Sequence, residues 1–185
     1  MLITLTFSFV IGLFTWTLLE YLLHRFAFHE KKLGLLLAKD HLKHHAKVDW
    51  FVPLTTKLAA AAVILSILFV GASFLGALPA ATFITGVVSG WVYYEVLHRR
   101  IHVAGPRNAY GTWARRHHLA HHFGHSTKNH GVTSPIWDMA FGTYVPITQV
   151  TVPRLHVAKF PWLLASSEAG DRTIAPAWSE QYRVV

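Results

Sequence analysis

Lysine and arginine are missing from residues 1–24 and again from 58–98, while all 17 of them fall within 25–57 and 99–183. These two blocks restrict the fold more than any motif, because an apolar helix of about 20 residues spans a bilayer core. The first block contains MLITLTFSFVIGLFTWTLLEYLL, long enough to cross as one helix. It lacks the basic start and small-residue cleavage site of a signal peptide, so a membrane helix is expected. The second block is nearly twice as long and is interrupted at GALPA, residues 76–80. There Gly76 and Pro79 turn a chain that has nothing charged to expose. Helices over 55–77 and 80–97, joined as a tight hairpin, are expected on either side.

Only 14% of the residues are charged, against about 25% in soluble domains, yet the formal charge is +8. Apolar and basic together describe a membrane protein whose charge is gathered in particular places. By the positive-inside rule both basic blocks are cytoplasmic, leaving the N-terminus and the 76–80 turn on the far side. The expected fold is therefore all-α: an integral membrane protein with three transmembrane helices and a cytoplasmic helical cap. Residues 1–185 are read as one domain. In the cap, residues 30–47 suit a helix lying at the membrane surface, and 103–112 read as a loop. Residues 131–143 read as a short helix, with Ser134 at its N-cap, Pro135 in first position, Asp138 in the first turn and Gly142 past its end. No pattern is legible after Val152.

The chain has no cysteine. Disulfides, thiolate metal sites and cysteine nucleophiles are thereby excluded, and any metal must take nitrogen or oxygen ligands. Thirteen of the 14 histidines lie in residues 24–45 and 98–130, and both zones begin where a membrane helix meets the cytoplasm. HLKHH (41–45) and HLAHH (118–122) place three imidazoles at i, i+3 and i+4, on one helix face. His98 and His102 in HRRIH are i, i+4. His24 and His29 in HRFAFH are five apart, so one of them is expected to ligate from beyond the helix end. Ten imidazoles at one level supply two metal ions with about five nitrogens each, a surplus over the four that structural zinc takes. That surplus points toward iron.

In this order HRFAFH, HLKHH, HRRIH and HLAHH, followed by GVTSPIWDMAFGT, resemble the fatty acid hydroxylase / sterol desaturase superfamily of membrane histidine-box di-iron oxygenases. The fatty acid 2-hydroxylase branch is the nearest in pattern, over about residues 16–145. The resemblance implies a metal-ligand set of His24, His29, His41, His44, His45, His98, His102, His118, His121 and His122. It also implies two iron ions, O2 as co-substrate and hydroxylation of an acyl chain at the membrane. His117 falls outside the box spacing and is expected at the surface, although an exchange with His118 stays open. His125 and His130 have no place in the boxes; His130, just before GVTS, is positioned to line the site. His156 is expected to be a surface residue.

Glu20 and Glu95 are the ionisable side chains of the expected spans, where such groups are costly unless paired. They stand four residues before His24 and three before His98. Each is expected either to accept the second N–H of a metal-bound imidazole or to reach the interface as a solvated carboxylate. Tyr94, one turn before His98, is a weaker candidate for such a role. No dinucleotide fingerprint, haem attachment motif or cysteine cluster is present, so an external electron donor (a cytochrome, ferredoxin or reductase) is implied, and a basic face suits an acidic one. Nucleic acid is not an expected partner. Desaturation and carotenoid or sterol oxidation are the alternatives within the superfamily. The three residues between His98 and His102 argue against carotenoid hydroxylases, whose corresponding box is longer. A membrane metal transporter is the alternative of another class. It is disfavoured because the clustered histidines lie outside the apolar spans rather than along a path at the bilayer midplane.

Overall fold

A computed structural model describes residues 1–33, 35–165 and 173–185, with only the backbone of Leu36 and Leu37. The helix expected over residues 30–47 includes Gly34 and the side chains of Leu36 and Leu37, and to that extent lies outside the described residues.

Helix α1 (Leu2–Leu22) is apolar all round, as a lipid-facing helix must be. It runs without a break into a π-helical segment, Leu23–His29. Together these form one of the two helices that, among the described residues, are long and apolar enough to cross a membrane, Leu2–His29; the other is Leu54–Leu75. The helix expected within residues 30–47 is α2 (Leu35–Ala46). Helix α3 (Leu54–Ala72) ends in a 3-10 turn, Ser73–Leu75. The hairpin then reverses at Gly76, whose φ of +98° is open to glycine at little steric cost. Pro79 does not belong to the turn. It lies inside α4 (Ala77–Val103), in the first turn, where its missing N–H is no loss. At 27 residues, α4 carries straight on from the apolar block into HRRIH.

Helices α1 and α4 share the most extensive contact in the molecule. A Cβ built on Gly12 would stand 2.1 Å from the Phe83 carbonyl oxygen, and one on Gly86 2.2 Å from that of Phe9. The two backbones touch at these glycines, the device by which small residues pack membrane helices. Further along, the Trp16 side chain fills the space that a Gly90 side chain would take.

Helix α5 (Ala109–Phe123) starts at Asn108, whose side chain accepts the Gly111 N–H at 2.8 Å. The short helix is α6 (Ile136–Ala140), with Pro135 rather than Ser134 at its N-cap. Gly142 follows with φ +66°, as expected. The tail corrects the all-α expectation: β1 (Val150–Val152) and β2 (Tyr182–Val184) pair in parallel, with Val150 opposite Tyr182. A short α7 (Arg154–Val157) follows β1. Val150, Val152, Val157, Phe160, Leu163 and Tyr182 are fully buried against Ile101, Ala114 and Leu119. Strands of three residues carry too little alternation to be legible in sequence.

Candidate metal centre

The structure brings the ten histidines together as two groups of five. His24, His29, His41, His45 and His121 form the first; His44, His98, His102, His118 and His122 form the second. Within each group the ligand atoms all lie within 4.8 Å of one another.

Local helix geometry explains the sorting. His24 and His29, five apart, would stand about 1.4 turns apart on an α-helix, on opposed faces. The π-helical Leu23–His29 widens the turn so that positions i and i+5 align. The expectation that one of the pair ligates from beyond the helix end is corrected: both sit on the same helical segment and face the same group. α2 and α5 each serve both groups. His41 and His45, at i, i+4, face the first group while His44 faces the second, and α5 gives His121 to the first and His118 and His122 to the second. The rings of His45 and His122 stack face to face, centroids 4.0 Å apart, where the groups adjoin.

Nitrogen spacing tests whether a cation fits. His41 Nε2 lies 2.9 Å from His29 Nε2 and 3.0 Å from His45 Nε2, and His29 Nε2 lies 2.9 Å from His121 Nε2. In the second group His44 and His98 approach at 3.0 Å, His102 and His118 at 3.1 Å, and His118 and His122 at 3.0 Å. An imidazole nitrogen carries one proton or one lone pair. His41 Nε2 therefore cannot satisfy both neighbours by hydrogen bonding, whereas a shared cation satisfies all of them. Two ligands at a right angle around an ion with bonds of about 2.1 Å stand about 3.0 Å apart, against about 3.4 Å at a tetrahedral angle. The observed spacings lie near the right-angle value, and each group offers a cation five nitrogen donors.

Backbone carbonyls fix the tautomers. Nδ1 of His24 donates to His130 O at 2.5 Å, that of His44 to Trp50 O at 2.6 Å and that of His121 to Lys128 O at 2.7 Å. Each bond puts the ring proton on Nδ1 and turns the Nε2 lone pair inward. His24 Nε2, buried and without a hydrogen-bond partner among the described residues, is one of these.

Burial, then the neighbouring histidines His29 and His44, bring His45 down to about 3, and burial with the nearby Lys57 charge brings His44 to about 4. Burial and surrounding imidazoles likewise hold His41, His118, His121 and His122 well below 6.5. At neutral pH these rings are uncharged, as ligands must be. Below about pH 6.5 an unfolded chain takes up protons that the folded rings refuse, so unfolding binds protons and stability is lost as pH falls. Chelator-treated protein in detergent is expected to lose several degrees in thermal midpoint between pH 6.5 and pH 4. A flat midpoint over that interval contradicts the buried neutral rings.

The two carboxylates and the tyrosine singled out near the boxes do other things than bond to an imidazole. Glu20 accepts the N–H groups of Val132 and of Thr133 (2.9 Å) and the Thr133 hydroxyl (2.5 Å). Glu95 pairs with Lys57 and accepts Trp91 Nε1–H at 3.2 Å. Tyr94 stacks on His98, centroids 5.5 Å apart at 12°, with Trp16 at 5.7 Å on Tyr94. Phe51 covers His44, His98 and His102, and Phe28 stacks on His41.

His117 corrects its expected surface position. It is 2% exposed, stacked between Trp113 and Tyr144, with Nε2 3.5 Å from Asp138 Oδ2. His118, and not His117, lies in the second group. His125 is exposed, and His156 is half-buried against Phe123. His130 is buried beside His24, His29 and His121, outside both groups of five. Asp138 is more than a first-turn acid of α6. Its buried carboxylate in fact accepts His130 N–H at 2.8 Å, Gly131 N–H at 2.7 Å and the Thr143 hydroxyl at 2.7 Å. Burial alone would raise Asp138; His117, these amides and Thr143 together hold it below the usual carboxylate range.

The sequence profile described as "Fatty acid hydroxylase" matches residues 9–143. A fatty acid 2-hydroxylase of Macaca fascicularis is 32% identical over 150 residues, 75% of this chain and 39% of that protein. A dihydroceramide fatty acyl 2-hydroxylase of Arabidopsis thaliana is 34% identical over 138 residues, 71% of this chain and 58% of that one. The chain thus spans between about two fifths and three fifths of these relatives. Among solved structures, "Full length scs7p (only hydroxylase domain visible)" superposes with a TM-score of 0.66 at 29% identity, over 78% of this chain and 57% of that one. The protein described here belongs to the fatty acid hydroxylase family.

Proposed function

We propose that this chain is an O2-dependent lipid hydroxylase that inserts a hydroxyl group into an acyl chain, beside the carboxyl carbon as in relatives named 2-hydroxylases. The observation that carries the reading is the convergence of ten imidazoles into two groups of five at right-angle spacing. Two iron ions are the proposed occupants, one per group, and when bound they supply the activation of dioxygen. One oxygen atom then enters the C–H bond, and the other leaves as water with two protons and two electrons brought from outside.

The chain's own residues aim and protect this chemistry. The carbonyls of His130, Trp50 and Lys128 hold three rings in orientation. Trp16, Tyr94 and Phe51 form an apolar wall on the second group and keep water from it. That wall suits a hydrocarbon chain arriving from the bilayer. We place α1, α3 and α4 across the membrane as three spans of a single domain, with both histidine groups at the cytoplasmic face. The electron donor is proposed to be a separate acidic protein meeting the basic surface there.

Mass spectrometry of lipids from cells expressing the protein under oxygen-18 gas tests the reading. A 2-hydroxyacyl product carrying one labelled oxygen is expected. Loss of two hydrogens without label would make the chain a desaturase. Metal uptake into vesicles with no altered lipid would make it a transporter.

A further inference from the structure

We infer that Glu20 and Asp138 are positioning residues for the first histidine group: they lock the 128–133 segment whose carbonyls aim His24 and His121. The inference rests on the proposed reading that each group binds iron.

Six successive backbone N–H groups of this segment are each held. Lys128 N–H donates to His125 O at 2.9 Å and Asn129 N–H to Thr143 O at 3.0 Å. The next two amides, His130 and Gly131, go to the Asp138 carboxylate, and the two after them, Val132 and Thr133, to Glu20. Four consecutive donors are thus shared between two buried carboxylates, one from α1 and one from α6. Asn129 sits at φ +57° with its side chain bonded both ways to the Val145 backbone, at 2.7 and 3.0 Å. Gly131 has no room for a side chain: a Cβ there would meet Ser134 O at 2.1 Å.

The carbonyls of this fixed segment receive the Nδ1 protons of His24 and His121, two of the five rings in the first group. Asp138 is itself fixed from outside. The Arg25 guanidinium donates to Tyr21 Oη at 2.8 Å, Tyr21 lies 3.1 Å from Thr143 Oγ1, and Thr143 donates to Asp138. The second group does not lean on the segment. Its His44 uses Trp50 O, and Nδ1 of His102, His118 and His122 has no partner among the described residues. At Asp138 a carboxylate is required, because each oxygen accepts a backbone N–H and an amide would turn a donor toward one of them. At Glu20 one oxygen accepts both N–H groups and the other meets the Thr133 hydroxyl, which can itself accept, so there the whole side chain must be removed to free the amides.

The test is chelator competition on iron-loaded protein, counting iron per chain in wild type, Glu20→Ala, Asp138→Asn and the milder Thr133→Val, which removes one hydroxyl contact to Glu20. Partners one step outside the ligands typically change metal affinity by about 10- to 100-fold. The first group's iron is expected to leave at about tenfold less chelator in the two carboxylate variants, and at an intermediate concentration in Thr133→Val. The second group's iron is expected to keep its wild-type midpoint, and to keep it also when the carboxylate substitutions are placed in a His121→Ala background. That midpoint reports a folded chain. Equal weakening of both irons, or no weakening of either, overturns the inference. A wild-type chain that binds no iron overturns the proposed function itself.

Discussion

Replacing His121 by alanine is expected to remove one of two irons and to abolish hydroxylation, by at least about 100-fold, since losing a ligand exceeds the 10- to 100-fold cost of losing a ligand's partner. The ring is fully buried. Its Nε2 lies 2.9 Å from His29 Nε2, and its Nδ1 is bonded to Lys128 O. Alanine leaves four imidazoles in the first group and a carbonyl without its donor, while the five rings of the second group keep their nitrogens. The expected protein is folded, binds one iron per chain and makes no labelled hydroxyacyl lipid. His125→Ala, four positions on but exposed, is expected to match wild type in both measurements. Two irons and normal turnover in His121→Ala would remove the first group from the chemistry.

The convergence of the clustered histidines was legible because helical periodicity converts i, i+3, i+4 into a shared face. Periodicity does not say which group a ring serves. His44 and His45 are neighbours in sequence yet belong to different groups, because α2 runs between the two. His24 and His29 needed a π-helical turn that no spacing rule for α-helices anticipates. His117 looked like a surplus surface ring because its partner, Asp138, lies 21 residues away on another element. Glu20 was noticed as a costly acid near a ligand, but its amide partners are 112 and 113 residues distant. Local pattern reports local geometry; the contacts that fix a loop against a helix are long-range and leave no periodic trace. The tail was opaque for a related reason. Its buried residues, such as Phe160, whose ring lies 6.2 Å from that of His102, come from short segments with no repeat to average over.

The largest effect on folding is expected from Gly86→Leu in α4, and an equivalent one from Gly12→Leu in α1. At both positions the obstruction is backbone: the new Cβ would stand 2.2 Å from Phe9 O or 2.1 Å from Phe83 O. A flexible side chain can swing aside, but a helix backbone moves only as a whole. Overpacking costs about 1–3 kcal/mol, and the upper end or beyond applies where the helices themselves must separate. The displacement would also reach the histidines. α1 continues into His24 and His29 of the first group, and α4 carries His98 and His102 of the second. Forcing the two helices apart at their crossing therefore shifts one pair of rings relative to the other. Gly86→Leu is expected to be recovered poorly as a monodisperse species in detergent, and what is recovered is expected to hold less than one iron per chain. Gly71→Ala on α3 is the matched control: nothing lies within 4 Å of its added carbon, and replacing glycine inside a helix favours folding. Its yield and iron content should equal or exceed those of wild type. If Gly86→Leu behaved the same way, the α1–α4 contact could not be what sets the spacing of the two groups.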